Sequence, residues 1–277
     1  MGWTLNKMNI LETNYISIDS WSPLVPEKTT FLLTHVHTDH SDIPKTFAFP
    51  VYSSVTSGQL MEHRMLDPCL VPGRWYQTHL YHIPFRVVDT IHCVDSIGFL
   101  FPTLSIMFLG DGTVPTFPLH TPLTVIYDDL YEHIDRDVPS QRDSCTLIRA
   151  TLESTCPVLQ VVHHGILSFF VQSCGMKFRL HPSLPDLVRK AALFMELEDT
   201  ESPYLLVGRT YTETQRIVPS SQWFMYQSSE KVMYHDVIPD GDKLRVFCNM
   251  HALGAQVRQW RHTYPDIHFV PMLSKAL

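Results

Sequence analysis

The stretch Phe31-Leu32-Leu33-Thr34-His35-Val36-His37-Thr38-Asp39-His40-Ser41-Asp42 sets an apolar run directly against three histidines and an aspartate within six positions. Such a change reads as a buried strand that delivers its chemistry on the loop at its end. Side chains of an extended segment alternate with a period of two, so His35 and His37 point the same way and can grip one metal ion. Asp39 and His40 then turn toward a neighbouring position. Imidazole plus carboxylate is the donor set that zinc takes in hydrolytic sites, with one coordination position left open for water. With 16 histidines in the chain, a polar loop enriched by chance is the plainer alternative. Four side chains able to bind metal at one buried strand end favour the metal reading.

Composition narrows the field around that stretch. A chain of 277 residues, 44% hydrophobic and 11% aromatic, can bury a substantial core, and one large or two interleaved domains are expected. No repeat, charged run or low-complexity tract interrupts it. The opening Met1-Gly2-Trp3-Thr4-Leu5-Asn6-Lys7 has no long apolar segment after it, which argues against a signal peptide. The longest apolar stretch, Ile97 to Leu109, is broken by Pro102 and falls short of the roughly 20 residues a spanning helix needs. A soluble intracellular protein without a membrane partner is the expectation. Six cysteines (Cys69, Cys93, Cys145, Cys156, Cys174, Cys248) are scattered without a Cys-x-x-Cys pair and read as reduced, mostly buried thiols. A net charge of −7 runs against the basic footprint of nucleic-acid proteins, although bound cations make a site locally positive without entering that count.

Along the chain, strands are expected at Tyr15 to Asp19, Thr30 to Thr34 and Phe49 to Tyr52. Ser53 or Ser54 caps a helix through Leu60 and Met61. Phe85 to Ile91 reads as a strand running into His92-Cys93. Ile97 to Phe101 and Leu104 to Leu109 read as a buried hairpin ending in Gly110-Asp111-Gly112, and Leu123 to Tyr127 as a strand ending in Asp128-Asp129. Strand ends keep presenting polar ligands. From Pro139 the pattern alternates. A helix starting near Ser140 and Asp143 carries Leu147, Ile148 and Leu152 on one side, and further helices are expected at Ile166 to Ser173, Pro185 to Leu197 and Ala252 to His262. Between them fall strands at Val158 to Val162, Met176 to Leu180, Tyr204 to Gly208, Leu244 to Cys248 and Ile267 to Val270. Alternation of this kind indicates α/β architecture.

His35-x-His37-x-Asp39-His40 resembles the signature of the metallo-β-lactamase superfamily. With it, a dinuclear arrangement gathers His35, His37 and His92 around one cation and Asp39 and His40 around a second, with Asp111 between them. His92 as a satisfied core histidine and Asp111 as a turn residue are the plain alternatives. The order of further features is similar to the DNA cross-link repair nucleases, the Artemis and Apollo group of the metallo-β-lactamase/β-CASP family. Ile16-Ser17-Ile18-Asp19 resembles the group's opening strand, Phe49 to Ser54 its next strand and cap, and His92-Cys93 its His-Cys-Pro-Gly loop. Gly110-Asp111 resembles its Gly-Asp motif, Asp128 its acidic strand end and Pro139-Ser140-Gln141 its Pro-Ser-Arg/Gln segment. Val246 to Val270, with His251 ahead of a helix containing Trp260, resembles its closing histidine, helix and strand. The chain departs from the group at Val94-Asp95-Ser96, where Pro-Gly is usual, and at Gly112, where an aromatic residue and an arginine are. No histidine stands near Arg216, and Val162 to Ile166 lacks the serine-glycine-lysine segment of the Apollo-like exonucleases.

The resemblance implies a metallo-β-lactamase αββα sandwich formed by residues 1–150 and 241–277, with a reduced β-CASP-like α/β insert at 151–240. It implies two divalent cations, zinc by donor set, held by His35, His37, Asp39, His40, His92, Asp111 and His251. His164, in a His-His-Gly segment also found in other superfamily members, is the rival to His251. Asp39 and Asp111 would serve catalysis, and Asp128 would support a ligand histidine. The implied activity is hydrolysis of DNA phosphodiester bonds in repair, which would place the protein in the nucleus. Lys177, Arg179, Arg189 and Lys190 are candidates for contact with a phosphate backbone; a plain solvated face is the alternative. Other outcomes are a hydrolase of a small ester, thioester or lactone, and a non-catalytic relative. The dinuclear reading requires His92 and Asp111 to fold against the histidine-rich turn.

Overall fold

A computed structural model describes residues 4–5, 11–12, 15–21, 26–94, 96–118, 123–128, 141–161, 167, 175–220, 237–247, 251–252 and 254–272. The chain divides into two compact units, Met1–Asp135 with His251–Leu277, and Arg136–Met250. The second unit therefore begins at 136 rather than 151 and ends at 250 rather than 240. The alternation of expected helices and strands begins at Pro139, close to that boundary.

Unit 1 contains two six-stranded mixed sheets. The first runs in the order β1 (Thr4–Leu5), β2 (Leu11–Glu12), β3 (Ile16–Ile18), β4 (Thr30–Leu32), β5 (Val51–Ser54) and β6 (Leu66–Leu70), with β3 to β6 parallel. The second places β7 (Trp75–Gln77) at one edge, then β8 (Pro84–Asp89), β9 (Ile97–Phe101), β10 (Ile106–Phe108) and β11 (Leu123–Asp128). The other edge is β18 (Ile267–Met272), the last strand among the described residues. Neighbours from β7 to β10 are antiparallel, whereas β10, β11 and β18 run parallel.

The near-continuous apolar runs of β9 and β10 have a direct cause, because both faces of this sheet are covered. Phe99, Phe101, Ile106 and Phe108 join Ile16, Ile18 and Leu32 of the first sheet in one core. Leu100, Met107, Leu109 and Val125 point the other way, into a core with Val257 and Trp260. Those two residues lie on a helix, Gly254–Thr263, whose buried positions Gly254, Val257 and Trp260 repeat every three. Trp260 stacks over Phe269 of β18 at 6.1 Å and meets Phe117 edge-on at 5.1 Å. The phenylalanines of β9 and β10 are almost wholly withdrawn from water, each worth about 1.5 to 3 kcal/mol of transfer free energy. On the outer face of the first sheet, Phe31 packs against Phe47 and Phe49.

Two short helices follow strands of the first sheet, α1 (Thr38–Ser41) after β4 and α2 (Val55–Leu60) after β5. Ser54 caps α2, its hydroxyl accepting from Ser57 N–H at 3.0 Å. Strands β6 and β7 were not expected from sequence. Both are sheet edges, three of five positions of β6 and two of three of β7 are exposed, and β6 contains Pro68. An edge strand needs no buried face and tolerates proline, so neither showed an alternating pattern.

Unit 2 holds a third sheet, in the order β13 (Arg179–Leu180), β14 (Leu205–Val207), β12 (Val158–Gln160), β15 (Arg216–Ser220), β17 (Lys243–Phe247) and β16 (Val237–Asp240). It is parallel except for the β16 edge. Helix α3 (Gln141–Ser154) lies against β15 and β17 and buries Ser144, Cys145, Ile148, Thr151 and Leu152, a three-to-four spacing that makes one stripe. Helix α4 (Asp186–Phe194) buries Val188, Ala191 and Ala192, and the Gly254–Thr263 helix is α5. Arg216, 3% exposed, pairs with Asp242 and donates to Thr214 O at 3.3 Å and Gln160 Oε1 at 3.4 Å. A charge this deep is tolerated because it is both paired and hydrogen-bonded. Of the expected elements, Ser140 and the helix over Ile166 to Ser173, apart from Leu167, lie outside the described residues. Among the described residues no helix is long and apolar enough to cross a membrane. Cys93, Cys145 and Cys156 are buried thiols as expected, but Cys69 is exposed.

Candidate metal centre

Strand direction gathers the polar groups of unit 1. Because β9 is antiparallel to both β8 and β10, those two run the same way, and β11 is parallel to β10. Their carboxyl ends deliver His92, Asp111 and Asp128 to one edge of the sheet, while β4 delivers His35 to His40 from the other sheet. Ile97 N donates to Thr34 O at 3.0 Å and joins the two sheets at that edge. Gly110 turns the chain after β10 with φ +59°, and a Cβ there would lie 3.2 Å from the Thr34 side chain. The loop carrying His92 is tied to the Asp111 loop by Ile91 N to Thr113 O at 2.8 Å and braced by a 2.6 Å contact between the Thr90 and Ser96 hydroxyls. A Cβ on Gly112 would meet Thr90 Oγ1 at 2.6 Å. That explains why this chain has glycine at 112: the room is taken by Thr90.

Six of the seven expected ligands come together in two groups, and His251 falls in neither. Ligand atoms of His35, His37, His92 and Asp111 all lie within 4.8 Å of one another, as do those of Asp39, His40 and Asp111. Asp111 belongs to both groups, with Oδ1 3.2 Å from His40 Nε2 and Oδ2 4.0 Å from His35 Nε2 and 3.9 Å from His92 Nε2. His92 Nε2 is 3.1 Å from His37 Nδ1, although 55 positions separate the two residues. The first group is the drier: His35, His37 and His92 are 0%, 6% and 2% exposed. In the second, the Asp39 side chain is 60% exposed and His40 15%. Three imidazoles and a carboxylate converging in a dry corner are a donor set for a borderline cation such as zinc. The buried group could hold a metal ion.

Two residues that the sequence reading did not place in the site, Asp19 and Thr34, stand behind it. Asp19, at the end of β3, accepts from Thr34 N at 2.8 Å and Thr34 Oγ1 at 2.6 Å and lies 2.8 Å from His40 Nδ1. Its signal was available, because it is a third acidic residue closing an apolar strand, as Asp111 and Asp128 are. His251 Nδ1 lies 2.6 Å from Asp128 Oδ2, and its ring is centred 5.0 Å from that of His92. The rival His164 lies outside the described residues.

Charge at the site is set by these contacts. Burial pushes the His40 pKa down, but Asp111 and Asp19 outweigh it and hold the imidazole well above its usual value of 6.5. Burial raises Asp111, yet His40 above all, with His35 and His92, keeps its carboxyl well below 3.8. For His251, burial lowers and the Asp128 hydrogen bond raises, and the net shift is upward. With its folded pKa raised, His40 contributes stability fully present below pH 6.5 and lost as pH climbs through the raised value. A cation must displace that same proton. We expect the metal-free chain to lose stability between pH 6.5 and the raised value, while zinc uptake at the Asp39/His40 group strengthens. Denaturation and zinc titrations at pH 6 and pH 8 check this, and a pH-independent zinc affinity would contradict it.

The four candidate phosphate contacts all lie in unit 2, and three of them donate to backbone carbonyls. Arg179 Nε donates to Ser202 O at 2.9 Å, Arg189 Nη2 to His181 O at 2.6 Å, and Lys177 to Glu196 O. Lys190 is exposed on α4.

No family model matches the chain, and no curated protein does. Among solved structures it is similar to a protein of unknown function from Enterococcus faecalis V583, at 11% identity and a TM-score of 0.49, over 83% of this chain and 72% of that one.

Proposed function

We propose that unit 1 is a metallo-β-lactamase αββα sandwich, that unit 2 is its β-CASP-like insert, and that the protein is a metal-dependent hydrolase of DNA phosphodiester bonds. The observation that carries this reading is the pair of donor groups sharing Asp111 at the end of β4. Two facing mixed sheets with α5 on an outer face support the fold assignment. His35, His37, His92 and Asp111 would hold one cation, and Asp39, His40 and Asp111, with His251 close by, the other. Bound there, two divalent cations would supply a water of near-neutral pKa and neutralise phosphate charge.

The chain's own groups divide the remaining work. Asp39, on the exposed side, is the carboxylate that can reach a substrate and accept a proton from water. Asp111 would contribute to both positions, with Oδ1 toward His40 and Oδ2 toward His35 and His92. The Asp128–His251 pair stands beside His92, with the His251 Nδ1 proton directed to the Asp128 carboxylate, which leaves Nε2 as the ligating or proton-accepting atom. On this reading the substrate is single-stranded DNA or a DNA end, and the protein works in the nucleus in DNA repair.

One observation favours a second reading, a hydrolase of a small ester, thioester or lactone. Lys177, Arg179 and Arg189 donate to carbonyls of their own unit, which leaves fewer donors for a phosphate backbone. Incubation of the zinc-loaded chain with labelled single-stranded and hairpin DNA, in parallel with a thioester panel, separates the two. We expect cleavage of DNA, and its loss in Asp39→Ala. Turnover of thioesters alone would replace the nuclease reading with the small-molecule one, and DNA cleavage that survives Asp39→Ala would remove this site from it.

A further inference from the structure

The buried side of β4 holds a proton arrangement that ligand geometry alone does not account for. Asp19 is 4% exposed and sits in left-handed backbone, φ 54°, a conformation that aspartate adopts more readily than most residues other than glycine. Its carboxylate receives Thr34 N–H on Oδ1 at 2.8 Å and Thr34 Oγ1–H on Oδ2 at 2.6 Å, and Oδ2 also lies 2.8 Å from His40 Nδ1. The same Thr34 Oγ1 is 2.9 Å from His35 Nδ1.

Counting protons fixes every direction. An ionised carboxylate only accepts, and a threonine hydroxyl has one proton to give. At 2.6 Å that proton belongs to the contact with Asp19, so Thr34 Oγ1 can only accept from His35 Nδ1–H. His40 Nδ1–H donates to Asp19 in the same way. His35 and His40 therefore both carry a proton on Nδ1 and turn Nε2 toward Asp111, which is the nitrogen a cation would take.

Resting on the dinuclear reading above, we propose that Asp19 and Thr34 form one positioning unit that sets the ligating nitrogen at both cation positions. Asp19 acts directly on His40, and through the Thr34 hydroxyl on His35. The two positions, one buried and one exposed, are thus linked from behind by a single carboxylate as well as in front by Asp111. Thr34 is the element that lets one acid serve both.

The test uses Thr34→Val, which keeps shape and the backbone N–H but removes the hydroxyl, Thr34→Ser, which keeps it, and Asp19→Asn. Zinc alone is titrated calorimetrically into each metal-free chain. Thr34→Val should weaken the tighter zinc site about ten- to a hundred-fold, the range for removing a partner that orients a ligand histidine, and leave the weaker one within a few-fold. Asp19→Asn should weaken both, and Thr34→Ser should restore the parent value. Nitrogen-15 spectra of the metal-free parent give a readout that does not depend on any variant folding, and should show His35 protonated on Nδ1. A His35 protonated on Nε2, parent-like zinc binding by Thr34→Val, or failure of Thr34→Ser to restore it overturns the proposal while leaving the metal centre in place. A parent chain that takes up no zinc overturns both.

Discussion

His92→Ala is expected to abolish tight zinc uptake at the buried position, and with it the gain in stability that zinc gives the parent chain. His92 reaches the histidine-rich turn from the other sheet, so this variant tests the convergence itself. The loss should exceed the about ten- to a hundred-fold typical of removing an outer partner of a ligand, because a donor is gone. A ligand that binds only the folded chain stabilises it by about 2.7 kcal/mol at a hundred times its Kd. In the parent, a saturating zinc titration should therefore move the denaturation midpoint clearly upward, and in His92→Ala it should not. The substitution opens a small space among rings that are almost fully buried, so the metal-free midpoint falls as well. The comparison that decides is the difference between zinc-loaded and metal-free chains of each. Equal zinc-induced shifts in the two would show that His92 is a core histidine and no more.

Asp111→Asn should have the widest consequences of any single change, because both donor groups share this carboxylate. Asparagine keeps the shape and one oxygen but removes the charge on which His40, His35 and His92 converge. Zinc content should fall from two equivalents to at most one, measured by elemental analysis after dialysis. If the hydrolase reading holds, the rate should drop on the order of a hundred- to a thousand-fold, the scale set by losing one preorganised charge-stabilising group. A further readout is independent of turnover. Asp111 heads the groups that lift the His40 pKa, with Asp19 beside it. In the metal-free variant, the His40 titration followed by NMR should move down toward 6.5, and the stability it contributes at lower pH should shrink. An unmoved His40 titration would mean that Asp19 alone holds it.

Much of unit 1 was legible because its central strands have no exposed face. Phe99 and Leu100, or Met107 and Phe108, point to opposite cores, so their sequence is apolar at both parities, bounded by the turn at Gly110. The histidine-rich turn was legible for a related reason, since three imidazoles at a dry strand end are a donor set for a cation. What escaped has physical causes too. Strands β6 and β7 lie at sheet edges and have no buried stripe to announce them. Asp19 was read as the end of a strand, since its partners, Thr34 and His40, lie 15 and 21 positions away and the contacts depend on parallel pairing of β3 with β4. Unit 2 begins ahead of α3 because that helix packs on β15 and β17.

The order of synthesis gives the β11–β18 pairing a kinetic meaning. Strand β11 is complete by residue 128, but its parallel neighbour spans 267–272 and is made only after all of unit 2. Until then a growing chain exposes one edge of its second sheet and lacks His251, while the intervening unit has all its residues in hand. Closing so long a loop adds little equilibrium cost, since each doubling of length costs only about 0.6 kcal/mol. It does postpone the first half's completion until the second half has been translated, and any stall between them leaves an open strand edge for a chaperone or a neighbouring chain to find.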